Sequence, residues 1–578
     1  MFETRAARAG GRVSMRRAVR PRWAAHPGWH LERRVLHDTA GVCPWALTWL
    51  REGRQTRHML SIVAAVCLLT AQAPGPGLTA RDSAFHALNR LAYGARPGEA
   101  DSVARVGVMR WIEQQLDADH ISDSRLAQRE HEFKILHYDR GDLAERFGTA
   151  QRERQRRQRE MKAGDTTNLD AVGPMREFRD LGGELQQLAI VRAAVSERQL
   201  REVMVDFWTN HFNVFVGKGA DRFLLPSYIE ETIRPRALGR FEDLLIATAR
   251  SPAMLFYLDN AQSVAPGSAP PRPMMAPFRR RRFGMNELPE DRRRRPTGIN
   301  ENYARELMEL HTLGVDGGYT QQDVINVARI FTGWSIQPPE RGAGFAYHDW
   351  AHDQGDKVVL GQKFESDGED EGVRLLKFLA SQHATMHHVS AKLCARFVAD
   401  EPPDDCVDAA VAAWQKTHGD IRAVLRAIFT SPDFWAPQVV RAKVKTPFEF
   451  VVSAVRAAGI EPDSTPRLAR LVGRLGEPLY QQPAPTGYPE TEAHWVNSGA
   501  LLARMNAALM LAKQCSSVPT VPDHSQLVEA IDQKLLGGTM SAHTKSVILE
   551  QLADINDPEQ ARTLAVGLAL GGPDFQRQ

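Results

Sequence analysis

The sequence has little cysteine, with five Cys in 578 residues. No two of them have the close spacing of a zinc knuckle, which argues against a structural zinc site, and we assign no metal ligands. Cys394 and Cys406 form a disulfide if the protein resides in an oxidising compartment, whereas two buried free thiols are the alternative. The sequence leaves this pairing open.

Net charge is also low, at +3 for the whole chain. A protein that binds nucleic acid through a strong overall field carries more positive charge, and we expect no nucleic-acid partner. Positive charge is concentrated locally, in two Arg runs at 279–282 and 292–295 within a Pro-rich stretch. A solvated loop explains both runs, and a patch that binds a polyanion is the alternative.

The chain also lacks a convincing transmembrane segment. The apolar run at 59–73 (MLSIVAAVCLLTAQA) falls short of the roughly 20 residues that a membrane-spanning helix needs. It follows several Arg and ends in a small-x-small pattern, which is typical of a secretory signal. We therefore predict export to the periplasm or the exterior through a Sec-type or Tat-type signal. A core helix behind a basic tail is the alternative.

Common catalytic motifs are missing as well. The sequence contains no Walker loop, no Gly-rich dinucleotide fingerprint, no Gly-x-Ser-x-Gly elbow and no His-Glu-x-x-His. These absences weaken the nucleotide-binding, hydrolase and zinc-protease interpretations. We assign no cofactor-binding residues, and the sequence leaves any cofactor unknown.

Helical periodicity is present over most of the chain. We predict a mainly α protein with one large multi-helix domain, one short β-hairpin and a disordered N-terminal extension. Strands at Phe345–Tyr347 and 357–360 would flank a polar loop in that hairpin. The predicted segments are a basic extension at 1–58, disordered or the product of a start codon assigned too early; a signal-like segment at 59–80; a helical domain at 82–513; a disordered Pro- and Arg-rich insertion within it at 261–297; and a helical tail at 514–578.

His211 lies on the apolar stripe of a helix predicted at Gln199–His211. A buried imidazole needs a partner for each ring nitrogen. A core histidine satisfied by a carbonyl group, or by an Asn such as Asn213, is one interpretation. A residue that binds a ligand or transfers a proton is the other.

Glu306 shares a helix face with Glu309 in the helix predicted at 300–313. Glu301, Arg305 and Glu309 have the spacing of an ion-pair ladder, which a solvated face explains. If another helix covers this face, Glu306 becomes a buried carboxylate with a raised pKa, or a ligand for a hard metal.

The polar loop of the expected hairpin contains adjacent His352 and Asp353. They can supply a base with its orienting carboxylate, or metal ligands, and ordinary turn formers are the alternative. On a later helix, His388 and Lys392 are one turn apart and form a cationic stripe, for which exposure to solvent is the default. With His211 and Glu306, these residues complete the set of six candidates for catalysis.

Several segments resemble a known bacterial family when taken in order. They are 85–97 (FHALNRLAYGARP), 208–214 (WTNHFNV), 300–312 (NENYARELMELHT), 445–449 (KTPFE) and 485–489 (PTGYP). The chain resembles the family called domain of unknown function 1800 (DUF1800) from about residue 82 to residue 513. The resemblance implies an exported protein, often encoded beside a secreted, sulfatase-like partner. It implies no agreed activity and no catalytic residues.

These observations favour a cell-envelope or secreted protein that binds or assembles with a co-exported partner. The alternative is an exported, hydrolase-like enzyme that brings His211, Glu306, His352 and Asp353 into one polar cleft. A third interpretation is an Arg-rich binder of polyanions. If polar side chains from the recognisable segments converge in a pocket, the enzyme interpretation gains weight.

Overall fold

Twenty-four α-helices, numbered here in chain order, make up most of the residues that the computed structural model describes, namely 77–162, 174–269 and 298–578. This confirms the prediction of a mainly α protein. The predictions for residues 1–76, the disordered extension and the signal included, lie outside the described residues. So does the predicted disorder of residues 270–297.

The helices before residue 270 are α1 Ala80–Leu91, α2 Glu99–Val106, α3 Val108–Leu116, α4 Ser124–Glu130, α5 Arg140–Lys162, α6 Pro174–Val195, α7 Gln199–His211, α8 Asp221–Ser227, α9 Phe241–Arg250 and α10 Pro252–Tyr257. The helices after it are α11 Asn302–Glu306, α12 Gln321–Ile330, α13 Glu369–Ala380, α14 His383–Phe397, α15 Asp404–Thr417, α16 Ile421–Thr430, α17 Pro447–Ala457, α18 Arg467–Arg474, α19 Glu492–Trp495, α20 Ser498–Ala512, α21 His524–Leu535, α22 Ala542–Leu552, α23 Pro558–Gly571 and α24 Pro573–Gln576.

α7 is buried on both its apolar and its polar sides. Val203 and Trp208 on the apolar stripe are fully buried, as the periodicity predicts. Gln199, Glu202 and Thr209, on the opposite side, are buried as well. A helix without a solvated face runs through the interior of a large domain. Its polar side chains therefore face other polar groups inside the protein.

The start of α17 is set by a reciprocal pair of hydrogen bonds. The Thr446 hydroxyl accepts a bond from the N–H of Glu449, and the Glu449 carboxylate accepts one from the N–H of Thr446. Pro447 takes the first helical position, where its missing N–H costs no helical bond. A cap of this kind stabilises a helix by about 1 kcal/mol. It also fixes Glu449 at the beginning of the helix.

Four short strands form two separate antiparallel hairpins. β1 (Trp334–Ile336) pairs with β2 (Phe345–Tyr347), and β3 (Lys357–Val359) pairs with β4 (Gln362–Phe364). The sequence places β2 and β3 correctly, but each pairs with a neighbouring strand and not with the other. Both residues of the turn at 360–361 have positive φ, and this two-residue turn returns the chain at once from β3 to β4.

A π-helical turn, Leu307–His311, replaces the regular helix that the sequence predicts up to residue 313. Such a turn holds an extra residue, which rotates the following side chains away from their regular α-helical positions. The ion pair between Arg305 and Glu301 forms at 3.3 Å. His311 is turned inward and is 2% exposed.

Two further contacts link separate elements of the fold. Cys394 and Cys406 form a disulfide between α14 and α15, while Cys515 is a buried free thiol. Residues 261–269, which open the predicted disordered insertion, are ordered in part against the β1 region, where the N–H of Gly333 donates to the Ser263 carbonyl at 3.2 Å.

The predicted tail at 514–578 packs on the rest of the helical domain. α23 crosses α20 so closely that a Cβ at Gly567 would lie 2.5 Å from Leu509 Cδ2. The N–H of Lys445 donates to the Gln576 carbonyl at 2.9 Å. The described residues up to 578 therefore form one unit. None of the described helices combines the length and the apolar character needed to cross a membrane.

Candidate functional site

The six candidates from the sequence lie in three separate places. His211, His388 and Lys392 lie together, Glu306 lies at the end of α11, and the pair of His352 and Asp353 follows β2. Within the described part of the chain, no hydrogen bond, ion pair or ring contact joins one of these places to another. The assignment of the six residues as catalytic stays a prediction.

The first place is an imidazole cluster formed by His211, His311 and His388. The ring centroid of His211 lies 6.2 Å from that of His311 and 6.4 Å from that of His388. His211 Nε2 lies 3.2 Å from the His311 carbonyl oxygen, and His388 Nε2 lies 3.3 Å from the Leu310 carbonyl oxygen. A carbonyl oxygen can only accept, so each Nε2 donates. His211 Nδ1 has no hydrogen-bond partner among the described residues, so the core-histidine interpretation holds for one ring nitrogen of His211 and not for the other.

Burial and the nearby Lys392 keep this cluster uncharged. Burial, together with the smaller effect of the positive charge on Lys392, lowers the pKa of His311 to about 3 and that of His388 to about 4. The pKa of His211 is lowered well below its ordinary value for the same reasons. Imidazoles of this kind are weak bases at neutral pH. The described residues also hold no group of three or more His, Cys, Asp or Glu side chains placed to bind a metal ion.

The second place is a buried triad of His352, Lys357 and Glu371. Glu371 Oε2 lies 2.9 Å from His352 Nε2 and accepts a hydrogen bond of 2.9 Å from Lys357 Nζ. His352 Nδ1 donates to the Thr332 carbonyl at 3.0 Å. All three side chains are fully inaccessible to solvent. A substrate cannot reach them, and their contacts make the triad a structural element that anchors β3 to α13.

Asp353 has an Arg partner, whereas Glu306 has none among the described residues. Two oxygens of Asp353 accept bonds of 2.9 and 3.0 Å from Arg329. Burial opposes ionisation of Asp353, but this Arg holds the pKa of Asp353 below its ordinary value. Glu306 is half-buried, and burial together with the repulsion of Glu309 raises its pKa. No bond engages its carboxylate among the described residues.

A fourth place, which we call the carboxylate pocket, brings together side chains from four distant parts of the chain. Its acidic members are Asp206 on α7, Glu449 on α17, and Glu477 and Glu490 in the connection between α18 and α19. Arg396 on α14 faces them. The cavity measures about 50 Å³, which is room for a few water molecules.

Glu449 and Arg396 form the ionised pair of the pocket. Arg396 donates directly to Glu449 Oε1, and both side chains are almost fully buried. Burial alone would raise the pKa of Glu449, but Arg396 and the N–H of Thr446 hold it below its ordinary value. Glu449 therefore stays a carboxylate in the folded protein.

Asp206 and Glu477 have the opposite character. Burial raises the pKa of Asp206 to about 7, because the attraction of Arg396 is offset by the repulsion of Glu449 and Glu490. Burial and the repulsion of Asp206 raise the pKa of Glu477 to about 8. Glu477 is held in place by the N–H of Phe448, which donates to its Oε2 at 2.8 Å. Asp206 has no hydrogen bond or ion pair among the described residues.

The rim of the pocket is held by an amide clamp on α7. Asn210 Oδ1 accepts a 2.6 Å bond from the N–H of Tyr488, and Asn210 Nδ2 donates to the Tyr488 carbonyl at 2.8 Å. Asn213 Nδ2 donates to the carbonyls of Gln482 and Ala484. Gly487 approaches so closely, at a φ of 73°, that a Cβ there would lie 2.4 Å from the Asn210 carbonyl oxygen.

Sequence reasoning missed this pocket although the motifs that carry the resemblance surround it. The segments 208–214, 445–449 and 485–489 all contribute to its wall. A signal was present in α7, where Gln199, Glu202, Asp206 and Thr209 form a polar stripe at helical spacing beside the apolar one. Because α7 also carries a long apolar stripe, it is expected to be buried, and a charged residue such as Asp206 then needs polar partners inside the protein.

The comparison with known families agrees with the motifs. The family model of DUF1800, described as a protein of unknown function, matches residues 86–577, beyond residue 513 where the recognisable motifs end. No curated protein and no solved structure matches the chain. The chain therefore belongs to the DUF1800 family.

Proposed function

We propose that the protein is an exported enzyme of the hydrolase type whose acid–base centre is the carboxylate pocket. The proposal rests on one observation: the carboxyl groups that line this cavity have very different pKa values. Burial raises the pKa of Asp206 to about 7 and that of Glu477 to about 8, while Arg396 keeps Glu449 ionised. Groups whose pKa values are driven apart in one site are suited to act as acid and base.

The order of the two raised pKa values assigns the roles. Between about pH 7 and pH 8, Asp206 is the more ionised group and Glu477 the more protonated one. Asp206 takes a proton from a water molecule as the water oxygen bonds to the substrate. Glu477 gives its proton to the leaving group as the scissile bond breaks. The two carboxyl groups exchange protonation states in the step, and solvent resets them.

The other polar groups position this pair. The N–H of Phe448 donates to Oε2 of Glu477 and fixes the orientation of this carboxyl group. The ion pair of Arg396 with Glu449 supplies a fixed positive charge beside Asp206. The clamp by Asn210 closes the rim over the cavity. Such fixed charges and donors lower a barrier because they need no rearrangement during the reaction.

Export is part of the proposal. The disulfide between Cys394 and Cys406 supports it, because disulfides persist in oxidising compartments. The signal-like run at 59–73 supports it from the sequence. The proposal also includes a co-exported, sulfatase-like protein as a partner. Its support is the resemblance to the DUF1800 family.

A binding protein is the second candidate, and the small cavity favours it. A volume of about 50 Å³ admits one polar group of a bound molecule, which is enough for recognition. In that case the protonated carboxyls would donate hydrogen bonds to a ligand that is held but not cleaved. Cleavage distinguishes the two candidates.

The test measures hydrolysis of chromogenic carboxylic esters, glycosides and sulfate esters by the purified protein. We expect at least one class to be cleaved, with a bell-shaped pH profile whose limbs lie near pH 7 and pH 8. Asp206→Asn and Glu477→Gln each remove one limb and lower kcat by at least about a hundredfold. Glu550→Gln, at an exposed site on α22, is the matched control and keeps the rate. If the wild type cleaves none of these bonds, or if Asp206→Asn keeps the rate, the proposal fails.

A further inference from the structure

A groove on the surface, outside the carboxylate pocket, runs along α18. Its walls are α18, the segment at 460–463, Gln186 on α6, and Met510 with Gln514 at the end of α20. Its volume is about 820 Å³. Two turns of an α-helix about 10 Å in diameter fill roughly 850 Å³, so the groove has the capacity for a helical segment of that length.

Three Arg side chains line this groove at helical spacing. Arg467, Arg470 and Arg474 stand at i, i+3 and i+7 of α18, and all three are exposed. The positions i, i+3 and i+7 lie on one face of a helix. α18 thus presents a row of positive charge about 10 Å long to the groove.

The opposite face of α18 is firmly attached. Ala469 and Val472 on that face are buried. The N–H of Ala469 donates to Gln187 on α6 at 3.1 Å, and a Cβ at Gly183 would lie 3.3 Å from Pro466. The packing against α6 therefore fixes the positions of the three Arg residues. A partner whose negative charges have the matching spacing can bind without rearrangement of α18.

Most of this positive charge is not neutralised by the chain itself. Arg467 pairs with Asp463 at 2.8 Å. Arg470 donates from Nε to the Pro466 carbonyl at 2.8 Å, which leaves its two terminal nitrogens unengaged. Arg474 has no hydrogen bond or ion pair with any described residue. Glu461 also lines the groove, but Arg125 already binds it. An acidic occupant is therefore complementary in charge to this groove.

The uncharged residues of the groove restrict the kind of molecule that can bind there. Ile460, Leu468 and Met510 contribute aliphatic surface, and Met510 is 40% exposed. The described residues that line the groove include no Phe, Tyr or Trp. Sugars and nucleobases are commonly bound by stacking on aromatic rings, and this groove offers no such platform. Aliphatic side chains beside an Arg row fit a peptide that carries both carboxylates and aliphatic groups.

We propose that this groove docks an amphipathic helix of a partner protein, with acidic residues on one face and aliphatic residues on the adjacent face. Acidic side chains three or four positions apart on such a helix lie about 5–6 Å apart. That spacing matches the Arg row of α18. The carboxylates bind Arg470 and Arg474, and an aliphatic side chain covers Met510. The proposal is independent of the hydrolase assignment, because no residue of the proposed acid–base centre takes part.

The test uses a synthetic, fluorescein-labelled helical peptide of about four turns, with Glu at i, i+3 and i+7 and Leu on the adjacent face. Fluorescence anisotropy measures its binding to the full chain at about 0.15 M salt. The combined charge reversal of Arg470→Glu and Arg474→Glu should weaken binding by roughly thirtyfold or more. The matched control reverses two exposed charges elsewhere, Lys416→Glu and Lys534→Glu, and should change binding by about twofold or less.

Each alternative outcome overturns the proposal. If the control variant weakens binding as much as the groove variant, net charge and not the groove attracts the peptide. If a peptide of the same composition with its Glu residues scattered binds as tightly, the helical spacing has no role. If heparin binds the wild type and the peptide does not, the groove takes a polyanion without an aliphatic face. The exposed Arg470 and Arg474 are expected to leave the fold intact, which the far-ultraviolet dichroism of the variant checks.

Discussion

Replacing Asp206 by Asn should stabilise the protein at alkaline pH. Asp206 lies in the interior, and burial raises its pKa from 3.8 to about 7. The folded state therefore binds this proton more tightly than the unfolded state does. The resulting stability is fully present below about pH 4 and is lost as the pH rises through 7. Asn does not titrate, so the variant avoids this loss.

The magnitude follows from the linkage between proton binding and folding. Each pH unit between the unfolded and the folded pKa costs the wild type about 1.4 kcal/mol of unfolding free energy. From about pH 5 to the folded pKa of about 7, that amounts to roughly 3 kcal/mol. The stability difference between Asp206→Asn and the wild type should thus grow by up to roughly 3 kcal/mol between about pH 5 and about pH 9.

Urea unfolding monitored by Trp fluorescence measures this difference at the two pH values. Asp408→Asn is the matched control, because Asp408 is exposed on α15 and has no partner among the described residues. Its stability relative to the wild type should not depend on pH. If the advantage of Asp206→Asn is the same at both pH values, Asp206 is not a buried carboxyl of raised pKa, and the acid–base assignment loses its base.

Three further predictions concern contacts that stabilise the fold. Gly487→Ala should lower stability by about 1–3 kcal/mol and abolish hydrolysis, because its Cβ would collide with Asn210, and thermal unfolding with an activity assay measures both. Replacing Cys394 and Cys406 together by Ala should cost about 3 kcal/mol, which unfolding in urea reports, since the bond closes a short loop. Glu371→Gln should cost about 3–5 kcal/mol, measured in the same way, because the buried ammonium group of Lys357 loses its carboxylate partner.

Each of these three changes has its own control. Gly476→Ala places a Cβ in open space at positive φ, so a loss as large as that of Gly487→Ala would assign the effect to backbone strain alone. Cys515→Ala removes a buried thiol without breaking a bond, and equal destabilisation would show that the disulfide contributes little. Asp370→Asn changes an exposed carboxylate on α13, and an equal effect would deny any special cost at Glu371.

The helices were predictable because their signals are local. Helical periodicity places α7 at its observed bounds. The pairing of the strands was not predictable from alternation, because the tight turn at 360–361 depends on a positive φ at Leu360. The π turn Leu307–His311 leaves no pattern in the sequence that distinguishes it from a regular helix.

The site was harder to predict because its residues are distant in sequence. Asp206 and Glu477 are separated by a large part of the chain, and only the packing of α7 against the connection after α18 brings them to one cavity. His352 attracted attention through its neighbour Asp353, yet its partner in space is Glu371. The His and Asp residues in this loop do take part in polar contacts. Whether they are exposed to solvent depends on α13, which packs over the loop and which the local sequence pattern does not reveal.

The most direct test is an infrared titration of the carboxyl groups in the wild type, Asp206→Asn and Glu477→Gln. Protonated and ionised carboxyl groups absorb at different frequencies, so difference spectra report each group separately. We predict that the wild type retains protonated carboxyl groups at neutral pH, with one lost near pH 7 and absent from Asp206→Asn, and another lost near pH 8 and absent from Glu477→Gln. If both groups lose their protons below about pH 5, as ordinary exposed carboxyl groups do, the account of the carboxylate pocket is contradicted.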